Sequence, residues 1–160
     1  MSKRVLLLLA EGFEPLEASG FTDVLGWANI DGDEPIELVS AGLRPSLRAT
    51  FGFSVVPDAL VSDLDLDSFD ALAVPGGFAG AGFYEDALSE PFLDVIRHFE
   101  ARGKIPDKAA VIFFAAANAA GCDIARRAGA EHEEGCCSVA IALAGDPFEF
   151  GDAGVPIPVR

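Results

Sequence analysis

Residues 5–28 read VLLLLAEGFEPLEASGFTDVLGWA and contain the change from strand to helix that decides the fold. The run 5–9 is continuously apolar, which is typical of a strand covered on both faces of a parallel sheet. After Gly12, a helix is predicted from Pro15, because proline suits the first helical turn and apolar residues then recur at helical spacing. These apolar residues are Leu16, Phe21, Val24, Leu25 and Ala28.

The rest of the chain continues this alternation of strands and helices. The apolar runs at 36–41, 48–56, 69–74 and 109–114 are predicted strands, with Gly52 as a bulge in the second of them. Residues 89–102 predict a helix that has Ser89 as its N-cap, and residues 115–128 predict another helix. Such alternation predicts an α/β fold, a three-layer sandwich with a mainly parallel sheet.

Composition limits the class of protein. A chain of 160 residues that is 51% hydrophobic and 23% charged is expected to form a single globular domain over 1–160. Twenty-six acidic residues against 11 Lys and Arg leave a net charge of −15, which repels nucleic-acid phosphates and anionic lipid headgroups. Neither nucleic acid nor a membrane surface is therefore an expected partner.

The amino-terminal apolar run is too short for a signal peptide, and no run reaches the roughly 18 apolar residues of a membrane span. Three cysteines without such a leader indicate reduced thiols, and a cytoplasmic location is expected. The spacing of Cys and His does not resemble a zinc site. No metal and no cofactor are predicted.

Glu17 and the Gly76-Gly77 pair are the first candidate site residues. Glu17 falls in the first turn of the predicted helix, on a largely apolar face. It either complements the helix dipole or is a partly buried acid with a raised pKa that exchanges a proton with a neighbour. The two glycines follow a buried strand at Pro75. They either only form a turn or offer free N–H groups as an oxyanion hole at the carboxyl edge of the sheet.

Two residues in the last third of the chain are further candidates. His132 lies in a polar Glu-His-Glu-Glu stretch, which is either a solvated loop or the position of a base. Cys122 lies inside the predicted helix 115–128, where a thiol is normally inert because no helix N-terminus lowers its pKa.

Three stretches together resemble the ThiJ/PfpI superfamily: EGFEPLEA at 11–18, FTDVLGW at 21–27 and VPGGFAGAGFYED at 74–86. The superfamily includes intracellular protease I-like proteins and a deglycase and chaperone group associated with Parkinson disease. Its fold is class I glutamine amidotransferase-like. The resemblance covers residues 1–104.

The resemblance implies a flavodoxin-like sandwich, a homodimer and a nucleophilic cysteine at a strand-to-helix elbow. Glu17 would hydrogen-bond the thiolate, and amides near Gly76 and Gly77 would form the oxyanion hole. The implied activity is thiol-dependent hydrolase, lyase or deglycase chemistry on a small carbonyl compound, in a stress-response setting. The substrate or ligand itself is not identified.

The sequence departs from the family at the elbow. The family reads two small residues, an aliphatic residue and Cys after a short lead, whereas this chain has Ile112 at the matching position and then two phenylalanines. Three explanations stay open: a non-catalytic binding member that lost its thiol, a shifted register in which Cys122 reaches the pocket, or a break in the reading frame after Lys104. His132 lies twenty residues beyond Ile112, similar to a histidine near the thiol in some relatives. The family's closing strand and helix are not found.

Overall fold

The computed structural model of the protein describes residues 2–32 and 35–103, and the backbone of residues 111–115, 149–150 and 156–157. The helices described are α1 (Pro15–Asp31), α2 (Phe83–Ala87) and α3 (Glu90–Gly103). The strands are β1 (Lys3–Leu9), β2 (Ile36–Gly42), β3 (Leu47–Arg48), β4 (Ser54–Val55), β5 (Ala59–Leu60), β6 (Ala71–Pro75), β7 (Val111–Ala115), β8 (Glu149–Phe150) and β9 (Pro156–Ile157).

The central sheet has the strand order β5-β2-β1-β6-β7, and each of its pairings is parallel. β1 pairs with β2 along its whole length and with β6 on its other side. Every residue from 5 to 10 is at most 3% exposed, so the run 5–9 is covered on both faces as predicted. The predicted flavodoxin-like α/β fold with a mainly parallel sheet is confirmed.

Successive side chains of β1 point to opposite faces of the sheet, because the side-chain period of a strand is two residues. Leu6 and Leu8 pack on one side with α2 and α3, which we call the α3 face. Val5, Leu7 and Leu9 pack on the other side with α1 and β3, which we call the α1 face. The two faces form separate apolar clusters.

The prediction of a single strand over 48–56 is wrong. β3 and β4 form an antiparallel hairpin, in which Arg48 pairs with Ser54. Phe51 and Gly52 have φ values of 66° and 101°, and these left-handed conformations reverse the chain. Gly52 therefore lies in the turn of the hairpin and is not a bulge in a continuous strand.

The apolar residues of α1 are only partly directed at the sheet. Phe21 is buried and Leu25 and Ala28 are half-buried, but Leu16 is 77% exposed and Val24 is 46% exposed. In α3 the predicted core set is fully confirmed, since each member is at most 4% exposed. This set is Phe92, Leu93, Val95, Ile96 and Phe99.

Ser89 directly precedes α3, at the predicted N-cap position, and its backbone carbonyl accepts from the N–H of Leu93 at 3.0 Å. Its hydroxyl donates to the backbone carbonyl of Asp86 at 2.6 Å. The short helix α2 and strand β5 were not predicted. Residues 116–128 of the predicted helix 115–128 lie outside the described residues, and Ala115 is the last residue of β7.

Candidate functional site

Glu17 and Gly76 meet at the carboxyl edge of the sheet. Glu17 is half-buried in the first turn of α1, and its Oε2 accepts a hydrogen bond of 2.6 Å from the backbone N–H of Gly76. Gly76 directly follows β6, the neighbour of β1. The structure therefore brings together two of the residues that the sequence singled out, at the edge where open α/β sheets bind ligands.

The loop that precedes α1 is fixed to the Pro-Gly-Gly segment by backbone contacts. The N–H of Glu14 donates to the carbonyl of Gly76 at 2.7 Å, and Phe13 forms an isolated antiparallel bridge with Gly77. A Cβ atom on Gly77 would collide with the carbonyl of Gly12 and the ring of Phe83. Gly77 is thus required by close packing, as expected for a glycine where the backbone approaches a neighbouring helix, here α2 with Phe83.

The Gly76 amide is engaged by the Glu17 carboxylate. The amide therefore orients the carboxylate. To donate to an oxyanion, the Gly76 N–H would first have to lose its hydrogen bond with Glu17. The oxyanion role of Gly76 and Gly77 remains a prediction.

Glu14 is a second carboxylate at this site that the sequence interpretation missed. It is the N-cap of α1, where its Oε1 accepts from the N–H of Leu16 at 3.4 Å. Its Oε2 is buried and has no hydrogen-bond partner in the part of the chain that the structure describes. Glu before Pro at a helix start is the signal that could have identified it.

An ion pair between the exposed Arg44 and the buried Asp86 lies next to the site. Arg44 donates two hydrogen bonds to the Asp86 carboxylate, at 2.7 and 2.6 Å, and a longer one of 3.3 Å to Glu11. Asp86 is 4% exposed and also accepts from the N–H of Glu11 at 2.8 Å. The hydrogen bond with Asp86 raises the pKa of Arg44 above its ordinary value. This Glu11–Arg44–Asp86 clamp holds the end of β1 against α2.

The β3–β4 hairpin is attached to the same loop through buried Thr50. The Thr50 hydroxyl donates to the carbonyl of Gly12 at 2.6 Å, and the Thr50 N–H donates to the carbonyl of Phe13 at 2.9 Å. At the hairpin tip, the ring of Phe51 lies 6.3 Å from that of Phe78, which follows Gly77. The hairpin therefore forms one rim of the site.

A groove of about 460 Å³ runs between the hairpin and α2. Neither Glu17 nor Gly76 belongs to its lining, so the groove lies beside the carboxylate site. The lining residues are Glu11, Arg44, Ser46, Leu47, Arg48, Ser54 and Glu85.

The placement of the elbow at Ile112 is wrong. Ile112 pairs with Leu72 in the middle of β6 and β7, and the carboxyl end of β7 is reached at Ala115, which pairs with Pro75. A residue that follows this strand, next to Gly76, must come after Ala115. Cys122 and His132 lie outside the described residues, so their roles remain predictions.

Within residues 2–32 and 35–103, no group of three His, Cys, Asp or Glu side chains is arranged to hold a metal ion. Among the helices that the structure describes, none has the length and apolar character needed to cross a membrane.

Comparison with known proteins gives a family and a set of related structures. The model of the DJ-1/PfpI family matches residues 3–111. Protein dj-1beta of Drosophila melanogaster is 31% identical over 107 residues, which cover 64% of this chain and 52% of that protein. Protein DJ-1 homolog A of Arabidopsis thaliana is 34% identical over 79 residues, which cover 49% of this chain and 19% of the relative. The chain thus spans about half or less of these relatives.

Solved structures agree with this assignment. The crystal structure of Drosophila melanogaster DJ-1beta superposes with a TM-score of 0.63 at 26% identity, covering 81% of this chain and 62% of that one. Oxidized Toxoplasma gondii DJ-1 superposes with a TM-score of 0.61 at 26% identity, covering 79% and 61%.

Proposed function

The chain belongs to the DJ-1/PfpI family, and from this premise we propose that it binds a small carbonyl compound at the Glu17–Gly76 site. The single observation that carries the proposal is the 2.6 Å hydrogen bond that holds the Glu17 carboxylate on the Gly76 amide. This contact presents an oriented acid at the edge of the sheet where ligands bind in α/β folds.

The chemistry of the site follows from its two polar groups. A carboxylate accepts a hydrogen bond from the hydroxyl of a hydroxycarbonyl or a hydrated aldehyde, and it can share the proton of an adjacent thiol in the same way. Backbone amides stabilise the negative charge that develops on a carbonyl oxygen when a nucleophile attacks. The site is therefore suited to small oxygen-rich electrophiles.

Two versions of this function differ in whether the chain supplies a nucleophile. The residues directly after β7 are Ala116, Ala117 and Asn118, which have no nucleophilic side chain. We therefore propose that the chain binds a small carbonyl compound without thiol-dependent turnover. The second candidate is a thiol-dependent hydrolase, lyase or deglycase. The oriented Glu17 carboxylate favours it, and it would have to use Cys122 as its nucleophile, with His132 as a base.

Two measurements on the purified 160-residue chain decide between these versions. We expect negligible methylglyoxal turnover and slow labelling of Cys122 during brief iodoacetamide treatment at pH 6, since only a thiol with a low pKa reacts quickly there. The control is Cys122→Ala. Robust turnover that is lost in this variant would overturn the non-catalytic version and support the enzyme.

Ligand binding is tested separately by titration calorimetry with a non-reactive hydroxycarbonyl such as hydroxyacetone. We expect Glu17→Gln to weaken binding by about tenfold, the equivalent of one charged hydrogen bond. The control Glu90→Gln, on the surface of α3, should bind as the parent does. Equal binding by all three proteins would overturn the proposed site.

Sequencing of the coding DNA across codons 104–160 addresses the third explanation for the missing thiol. If a shifted frame restores a cysteine after an Ala-Ala-aliphatic lead, the enzyme replaces the binding protein as the proposed function. If the sequence is unchanged, the thiol is absent from the elbow.

We also propose that the protein is a homodimer in the cytoplasm. The exposed apolar side chains of α1 and the β3–β4 hairpin support the dimer, because both elements cover the same face of the sheet. Sedimentation equilibrium should give twice the mass of the 16.7 kDa chain. A monomer at micromolar concentration would contradict the dimer. Cell fractionation tests the location, and we expect the protein in the cytoplasmic fraction. The exposed side chains are Leu16, Val24, Trp27, Ile30, Phe51, Phe53 and Val56.

A further inference from the structure

The described part of the chain has a large excess of acidic side chains on its surface. Residues 2–32 and 35–103 contain sixteen Asp and Glu side chains but six Lys and Arg side chains. Of the sixteen, Asp86 is buried, and the other fifteen are half-buried or exposed. The net charge of the whole chain is −15. A protein with such a charge repels itself in the compact state.

Most of the described Lys and Arg side chains already form ion pairs. Five of the six described Lys and Arg side chains form ion pairs with carboxylates. Arg48 is the described cation for which no such pair is found. Internal cations therefore leave part of the acidic surface uncompensated. Within the described ranges, exposed carboxylates that form no ion pair include Asp23, Asp31, Asp63, Asp65 and Glu85.

The segment 61–68, VSDLDLDS, shows the spacing of these charges. It places an aspartate at every second position: among the described residues Asp63 and Asp65 form no ion pair, whereas Asp67 pairs with Arg102 at 3.9 Å. Cα atoms two residues apart are at most about 7 Å from each other. This separation is shorter than the Debye length of about 10 Å at 0.1 M salt but longer than the roughly 3 Å at 1 M. Repulsion between such neighbours is therefore screened well only at molar salt.

We propose that this fold is salt-dependent and reaches its full stability only when monovalent salt approaches molar concentration. The mobile cations of the solvent then supply the screening that the chain's own Lys and Arg do not. The working environment that fits this surface is a solution of high ionic strength. The proposal concerns the surface of the whole molecule and does not depend on the function of the Glu17–Gly76 site.

Thermal unfolding of the full chain at pH 7, followed by circular dichroism, tests this proposal across 0.05–3 M KCl. We expect the unfolding temperature to rise by at least about 10 °C between 0.05 and 2 M. The triple variant Asp23→Asn, Asp31→Asn, Asp63→Asn removes three charges that have no ion pair. It should unfold at a higher temperature than the parent at 0.05 M, and should gain less from added salt.

A matched triple variant tests whether stability depends on which carboxylates are removed, the unpaired or the paired ones, or only on the net charge. Glu37→Gln, Glu90→Gln and Asp94→Asn remove the same number of charges, but each of these carboxylates pairs with an arginine. We expect this variant to unfold at an equal or lower temperature than the parent at 0.05 M. An unfolding temperature that is independent of KCl would overturn the proposal. The same holds if the first triple variant gains as much from salt as the parent, because the salt would then act on apolar surface and not on charge.

Discussion

The two faces of the sheet are covered to different degrees. On the α3 face, helix α3 directs its five large apolar side chains inward, and none is more than 4% exposed. On the α1 face, α1 directs Ala18 and Phe21 inward but carries Trp27 and Ile30 on its outer surface, at 57% and 72% exposure. A helix with apolar residues on both sides is suited to a position between two apolar bodies. The sheet is one such body for α1, and the proposed second copy of the chain is the other.

Truncation of an aromatic side chain on each face is expected to show the largest difference in the free energy of unfolding. Phe99→Ala on the α3 face removes a fully buried ring, and we expect it to lower the free energy of unfolding by about 3–5 kcal/mol. Urea unfolding of the parent and the variant measures this difference.

The matched variant on the other face is Trp27→Ala. We expect it to change the free energy of unfolding of the monomer by no more than about 0.5 kcal/mol, because most of the indole is exposed. It should instead weaken self-association in sedimentation experiments. If Trp27→Ala costs the monomer as much as Phe99→Ala, the contrast between the faces does not hold.

The same contrast explains how much of the fold was predictable from the sequence. Spacing alone identified β1, β2, β6, α3 and the start of α1, because each has a strong apolar pattern or a proline at its first turn. Spacing did not show which apolar residues of α1 face the sheet, since a helix that is apolar on two sides has no single core stripe. The β3–β4 hairpin was missed because Phe51, a residue that favours strands, occupies a left-handed turn position.

A second test addresses the point where the two faces meet, at Gly77. A methyl group there would collide with the carbonyl of Gly12, in the loop before α1, and with the Phe83 ring from the α3 face. We expect Gly77→Ala to cost about 1–3 kcal/mol of unfolding free energy, the range for an overpacked site. Urea unfolding measures it.

Gly80→Ala is the control for Gly77→Ala, because a Cβ atom at Gly80 would meet no atom within 4 Å. We expect it to be neutral within about 0.5 kcal/mol. Equal losses at both positions would mean that the close contact of the two loops is unimportant for stability.

The Glu11–Arg44–Asp86 clamp is expected to have a smaller effect. Asp86→Asn replaces the carboxylate that Arg44 binds by a neutral and weaker acceptor. Asp86 is buried, but Arg44 is partly exposed. We expect a loss of about 1–2 kcal/mol, measured by urea unfolding, because solvent compensates part of the lost charge interaction. Glu90→Gln in the exposed pair with Arg97 should lower the free energy of unfolding less than Asp86→Asn does. If Asp86→Asn costs no more than Glu90→Gln, the clamp does not stabilise the contact between the end of β1 and α2.

The smallest effect is expected at the edge of the sheet, where Asp58 binds Ser40. The Ser40 hydroxyl and N–H donate to Asp58 Oδ2 at 2.6 and 2.9 Å, and the hydroxyl contact is the main reason that the pKa of Asp58 is lowered. A lowered pKa in the folded state stabilises the protein above the ordinary Asp value of about 3.9. This stabilisation is lost as the pH falls through the folded value.

The measurement is the free energy of unfolding of the parent and Asp58→Asn between pH 3 and 7. We expect a difference of about 0.5 kcal/mol or less at pH 7, since Asp58 is exposed, and a smaller difference below pH 4. Ser40→Ala should show the same trend. A difference that grows towards low pH would contradict the assignment.

The candidate site was predictable only in part. Glu17 and the Pro-Gly-Gly segment were identified because a carboxylate on an apolar helix face and a glycine pair after a buried strand are both unusual. Asp86 and Arg44 were not identified, because they are 42 residues apart and no local pattern indicates their pairing. The predicted strand 109–114 ends only one residue before β7 does, but the elbow was placed inside the strand, since Ile112, Phe113 and Phe114 are all apolar and give no boundary signal.

The position of β1 between β2 and β6 has a consequence for hydrogen exchange. Its backbone bonds to a strand on each side, and its side chains are covered on both faces. Amide protons in such a strand exchange with solvent only when the whole domain opens, whereas those at the tip of an exposed hairpin exchange through local openings. In deuterium oxide the amides of Leu6 and Leu8 should therefore report the global free energy of unfolding, and that of Phe53 a much smaller local one.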